Sequence, residues 1–290
     1  MIFLGLVYLI WGSTYLAIRV AVADGGGFPP FSLGAVRLVA AGILVLAWAA
    51  ALGRPLRLSR TQLAEQAAAG WLLWLGGNGL VVWALTRVSS GYAALLMGAT
   101  PIFVALLEAV RDRRAPTPRA GLGLGLGLGG IAALSGPELA GGDGRTALVG
   151  LIALLLAALS WALGTVYQQR ARSPIDPLVA AGYMLLLAGI GFGIVALLRA
   201  EPTPAPTTGA WWSLAYLVIV GSVVGFASYV YALRLLPADL VMTHAYVNPV
   251  VAVVLGWAWL GEPFTGWTWL GSALVLLGVY QVFRARRPVT

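Results

Sequence analysis

The residues able to do chemistry in this chain are few, and they stand inside long apolar runs. His244 is the only histidine; Asn248 follows four residues later, and Pro249 comes directly after it. Trp74 and Asn78 share that spacing, as do Trp161 and Thr165. Trp11, Gly12, Ser13, Thr14 and Tyr15 form one cluster, and Tyr92, Thr100 and Pro101 fall in a single later run. Groups four apart lie on one face of a helix, so each pair sets a flat ring beside a hydrogen-bonding group. That is the chemistry of binding. Catalytic patterns are missing: one histidine excludes a His-Glu-x-x-His zinc site, no Gly-x-Ser-x-Gly elbow occurs, and no two carboxylates share an apolar run. With no cysteine there is no thiol nucleophile, disulfide or thiolate metal site. No metal or cofactor is expected.

Each of these residues has a plainer reading. An Asn or Thr inside a membrane helix often bonds a neighbouring helix, and a tryptophan can simply pack. Binding is favoured by their clustering at one depth in corresponding helices. Pro101 and Pro249 each remove a backbone donor and free a carbonyl one turn earlier. Interruptions paired in this way are the best sequence pointer to the site of a carrier.

The elements that must position these groups follow from composition. Of 290 residues, 60% are hydrophobic and 10% charged, with mean hydropathy +0.90. Such a chain has lipid as its solvent. A pI near 10.3 would suggest nucleic acid in a soluble protein, but the basic residues are all arginines clustered in short turns, which points to membrane topology. Nucleic acid is not an expected partner. Spans of roughly 20 residues are expected at Ile2–Val22, Pro30–Leu52, Leu63–Trp83, Ser90–Val110, Ala120–Leu134, Ala147–Gln168, Pro177–Leu198, Ala210–Ala232, Ala238–Leu260 and Gly266–Val282. The fold class is therefore all-α integral membrane, with about ten helices. The first run has no basic stretch before it and reads as a retained span.

The alternating glycines from Gly121 to Gly130 contain a formal G-x-G-x-x-G at Gly125, Gly127 and Gly130. No strand precedes it, so a dinucleotide fingerprint is rejected. On a helix Gly121, Gly125 and Gly129 share a face, a strip along which another helix is expected to approach.

The chain also repeats itself. Trp11, Gly12 and Thr14 are echoed by Trp161, Gly164 and Thr165, and the stretch from Ala84 to Pro101 by that from Ala232 to Pro249, a register of about 150 residues. Five spans per copy would make the second copy enter the bilayer inverted. The expected units are residues 1–140 and 141–290. Placing both termini in the cytoplasm puts Arg54, Arg57, Arg60, Arg111, Arg113, Arg114, Arg119, Arg170, Arg172, Arg234, Arg284, Arg286 and Arg287 inside, and only Arg87, Arg145 and Arg199 outside. Arg19 and Arg37 remain, in apolar runs toward the outer face. They either snorkel to headgroups or pair with Asp24, or they form an outer gate. Glu108 either snorkels near Arg111 or marks an ion site.

With Trp11-Gly12-Ser13-Thr14-Tyr15, Pro30 with Arg37, Ser90 to Leu96 before Pro101, Ser160-Trp161-Ala162, Asn248-Pro249, and Gly261-Glu262 followed by Gly271 and Gly278 in order, the chain resembles the drug/metabolite transporter superfamily, in its EamA-type group of ten-span carriers. Asp112 stands where that pattern usually has Glu. The resemblance implies a cytoplasmic-membrane carrier with a cavity lined by the first, third, fourth, sixth, eighth and ninth spans. It implies small-molecule substrates, neutral metabolites and amino acids foremost; sugar, nucleoside or drug transport is the alternative. Trp11, Trp74, Tyr92 and Trp161 would wall the substrate. Thr14, Asn78, Thr100, Thr165, His244 and Asn248 would bond its polar end, and Arg19, Arg37, Pro101 and Pro249 would serve gating. If protons are coupled, His244 has the suitable unperturbed pKa; a gradient-driven uniporter is the other option. Oligomeric state is open, and a monomer is allowed.

Overall fold

The computed structural model describes residues 2–23, 25–111, 113, 117–140, 144–168, 175–235 and 244–285. Asp24, Asp112, Arg114, Arg170, Arg172, Arg286 and Arg287, and the side chains of Glu108 and Arg234, lie outside the described residues. Among the described residues every regular element is a helix: α1 (Ile2–Val22), α2 (Pro30–Ala51), α3 (Arg60–Ala84), α4 (Ser90–Arg111), α5 (Pro118–Ala140), α6 (Gly144–Gln168), α7 (Pro177–Leu198), α8 (Thr208–Tyr216, Leu217–Val224 and Gly225–Leu235), α9 (His244–Leu260) and α10 (Gly266–Ala285). Seven helical stretches, in α1, α2, α3, α4, α6, α7 and α8, are long and apolar enough to cross a membrane, and Val247–Leu260 is a shorter apolar helix.

Local chemistry sets the helix starts. Pro30 and Pro177 open α2 and α7, where a missing N–H costs nothing. Ser59 forms a capping box with Gln62 at α3, Ser89 Oγ accepts from Tyr92 N at α4, and Asp176 Oδ1 accepts from Leu178 N at α7. Each satisfies a donor that the first turn leaves without a partner. The outward faces stay apolar: Leu197 is 82% and Trp259 76% exposed. Lipid is as apolar as leucine, so helix association here rests on close packing of small residues and on polar ties.

α2 packs along α7, α5 along α10, α9 against α1 and α4, and α6 against α3 and α4. One end of the bundle collects the turns at residues 25–29, 85–89, 199–207 and 261–265. There Ala205 N donates to the Gly27 carbonyl (3.0 Å) and Thr207 N to that of Gly26 (3.1 Å). The opposite end holds the Arg54–Asp176 ion pair at 3.6 Å.

Two expectations change. The fifth helix is not the short Ala120–Leu134 but the longer Pro118–Ala140, because Ser135 and its successors continue the turn. The strip Gly121, Gly125 and Gly129 does not receive another helix; a Cβ on any of them would meet nothing within 4 Å. The reverse side of α5 carries the contact, where a Cβ on Gly130 would lie 2.7 Å from Val275 N and 2.8 Å from the Gly271 carbonyl of α10.

Candidate functional site

Two helices lose α-helical winding at mid-length. Trp71–Asn78 in α3 and Leu217–Val224 in α8 are each an eight-residue π segment, with Gly79 N donating five residues back to the Trp74 carbonyl. Such wide turns are rare, re-aim side chains and collect at functional positions. An indole lies on a glycine within the first segment and on one directly after the second. A Cβ on Gly77 would come 2.9 Å from the ring of Trp161 in α6, and one on Gly225 would come 2.8 Å from Trp11 Nε1 in α1. Only a hydrogen at those positions lets the rings approach the backbone.

Two aromatic groups result. Trp74 meets Trp161 edge-on at 5.9 Å between centroids. Trp11 meets Tyr229 at 5.2 Å and stands edge-on to His244 at 5.1 Å, while Tyr229 and His244 are 5.9 Å apart. Four of the expected residues, Trp11, Trp74, Trp161 and His244, thus join in two clusters. Tyr229 was missed; its position four residues after Gly225, on the same helical face, was the available signal. Tyr92 points elsewhere. Its hydroxyl bonds Ser135 Oγ at 2.8 Å, and its ring lines a cleft of about 240 Å³ with Trp257, Glu262, Phe264 and Trp267.

The hydroxyls and amides are largely committed within the fold. Thr14 Oγ1 donates to the Trp11 carbonyl at 2.7 Å and Thr165 Oγ1 to that of Trp161 at 2.9 Å. Thr100 Oγ1 donates to the Met97 carbonyl at 2.6 Å, the carbonyl that Pro101 deprives of its usual partner. Next to Pro249, the Asn248 amide, assigned so that its nitrogen faces acceptors, donates to the carbonyls of His244 (3.1 Å) and Tyr8 (3.3 Å). Asn78 closes the π segment of α3, and among the described residues its amide has no hydrogen bond.

Glu201 and Glu262 fasten two helix starts at one end of the bundle. Glu201 accepts from Phe31 N (3.0 Å), Ser32 N (2.8 Å) and Ser32 Oγ (2.7 Å) at the head of α2. Glu262 accepts from Ser90 N (2.7 Å), Ser90 Oγ (2.9 Å) and Gly91 N (3.1 Å) at the head of α4. A carboxylate at a helix N-terminus gains both the free N–H groups and the dipole. Arg19 mirrors this at a C-terminus, with Nη1 donating to the Leu85 carbonyl at the end of α3. Arg37 does not reach the surface: it is 4% exposed, its Nε donates to Ser222 Oγ at 3.2 Å, and its guanidinium carbon lies 5.8 Å from the centre of the Trp74 ring.

The model of the EamA-like transporter family matches this chain twice, over residues 1–136 and 148–284. The chain is 34% identical over 282 residues to the uncharacterized inner membrane transporter YedA of Escherichia coli K12, covering 95% of this chain and 88% of that one. It is 26% identical to the uncharacterized transporter YoaV of Bacillus subtilis, over 94% and 93% of the two chains. It is 28% identical to a probable terminal-alkyne amino-acid exporter of Streptantibioticus cattleyicolor, over 96% and 91%. A solved structure described as "Crystal structure of protein" shares the fold, with a TM-score of 0.67 at 20% identity over 97% of this chain and 94% of its own. An all-helical membrane bundle with aromatic clusters around interrupted helices, matched at this breadth, belongs to the EamA-like transporter family and is a membrane transporter.

Proposed function

We propose that this protein is a secondary carrier of the cytoplasmic membrane that exports small neutral metabolites, amino acids including aromatic ones, by alternating access between two inverted five-helix repeats, residues 1–140 and 141–290. The observation that carries the reading is the pair of aromatic clusters, Trp74 with Trp161 and Trp11 with Tyr229 and His244, each seated on a glycine in or directly after a π segment. Flat rings of this kind offer apolar walls to a side chain, as in pockets that are mostly apolar with a few placed polar groups. The inverted plan is supported by the matched π segments, by the crossed seating of Trp11 on α8 and Trp161 on α3, and by α1 and α6 running in opposite senses through the bundle. The end fastened by Arg19, Glu201 and Glu262 is read as the extracellular end, with Arg19 and Arg37 near the outer gate and Pro101 and Pro249 as hinges. The exporter of Streptantibioticus cattleyicolor supports the substrate class.

Proteoliposomes loaded with single labelled compounds test this. Gradient-dependent flux of amino acids, aromatic ones included, is expected. Flux of a sugar or an organic cation, with none of any amino acid, overturns the assignment.

A further inference from the structure

Among the described residues Arg37 is a buried cation that the packing does not explain. It is 4% exposed, and among the described residues no carboxylate lies within 4.0 Å of its guanidinium. A charged arginine without a partner at this depth is expensive and persists where it serves a site. One edge of its guanidinium is held, since Nε donates to Ser222 Oγ, which in turn donates to the Leu217 carbonyl at 2.8 Å. The other edge is not. Nη1 is buried with no hydrogen-bond partner, and Nη2 faces Gly221, whose Cβ, were there one, would be 3.7 Å away. Ser222 belongs to the π segment of α8 and Trp74 to that of α3, so the guanidinium is packed between the two irregular helices.

We infer that Arg37 anchors the carboxylate of the transported compound, which docks on the free Nη1 edge while its side chain lies against Trp74 and Trp161. A planar guanidinium fixed along one edge is preorganised for a carboxylate. The hydroxyls of Thr14, Thr100 and Thr165 and the amide of Asn248 already donate to backbone carbonyls; among the described residues the Asn78 amide is free but neutral, and Arg37 is the buried cation with a donor to offer. Because Nη1 is shielded from solvent here, docking accompanies a shift of one of the π segments. The inference rests on the amino-acid reading above and adds which end of the amino acid is recognised, and by what.

The test uses the purified full chain in proteoliposomes with labelled phenylalanine as probe. In the wild type, excess 3-phenylpropionate, which keeps the carboxylate, is expected to compete, and phenethylamine, which lacks it, is not. In Arg37→Gln the ratio of phenylalanine flux to phenylalaninamide flux is expected to fall at least tenfold, with the thermal melt showing a folded protein. An unchanged ratio overturns the inference, as does an equal loss of both fluxes, which would mark Arg37 as a packing tie. Should Arg37→Gln not fold, the competition decides alone: phenethylamine competing as well as 3-phenylpropionate overturns the assignment. Wild-type protein that carries no amino acid sinks the underlying reading; wild-type protein that carries phenylalanine without carboxylate preference sinks only the role of Arg37.

Discussion

Thr100 immediately precedes Pro101, and its hydroxyl occupies the Met97 carbonyl that the proline strands. In a span there is no water to take over that carbonyl, so the hydroxyl serves the helix before it can serve a ligand. Thr100→Val should therefore leave a buried acceptor unsatisfied and cost about 1–2 kcal/mol. We expect it to lower the melting temperature of the purified protein while leaving KM for the transported substrate within about twofold, since the hydroxyl is committed to the helix; Thr100→Ser should restore the melt. A raised KM with an unaltered melt would place Thr100 in the pocket instead. Residue types and four-residue pairings were legible in the sequence, and the Trp and His members did converge. Where each donor goes was not legible. Both a ligand and a carbonyl one turn back satisfy a hydroxyl equally on paper, and only coordinates separate them. The same holds for Arg37: its burial depends on α3 and α8 closing over it, a tertiary fact without a local signal.

At the level of the element, α5 shows how a correct period can select the wrong face. Small residues recur along it so densely that two strips are available, and moving two residues along a helix turns about 200° at 3.6 residues per turn. Gly121, Gly125 and Gly129 face open space while Gly130 meets the backbone of Gly271 and Val275 in α10. Gly130→Leu should force α5 from α10 and lower the melting temperature sharply, with loss of material in the folded peak on gel filtration. Gly125→Ala should leave both unchanged or raise stability slightly, because alanine favours the helix by about 0.5–1 kcal/mol and nothing stands in its way. The opposite pattern would mean that α5 docks through its other strip. Helix starts at Pro30, Ser90 and Pro177 were legible from proline and hydroxyl caps. The two π segments were not, since the glycines in Trp71–Asn78 and Leu217–Val224 do not by themselves signal a wide turn; a ring or guanidinium is packed beside each segment.

For the whole molecule, the decisive property is the sense in which the two halves enter the membrane. α3 and α8 begin at matched places in the proposed repeats, and each carries its π segment after about two to three α-helical turns. Thr61 and Thr208 lie at those beginnings and are both exposed, and the chain has no cysteine to interfere. α3 starts at the end of the bundle that holds Arg54 and Asp176; α8 starts at the end where Ala205 and Thr207 bond the turn after α1. An inverted duplication therefore predicts that a membrane-impermeant maleimide applied to intact cells labels Thr208→Cys, and labels Thr61→Cys only after the membrane is permeabilised. A parallel duplication would put both on one side. Labelling of both from the same compartment would dissolve the pseudo-twofold axis in the membrane plane, and with it the reason for Trp11 and Trp161 to serve one substrate from opposite halves. The side each takes also follows from charge: the arginines cluster where α3 begins, and arginine-rich short loops stay in the cytoplasm.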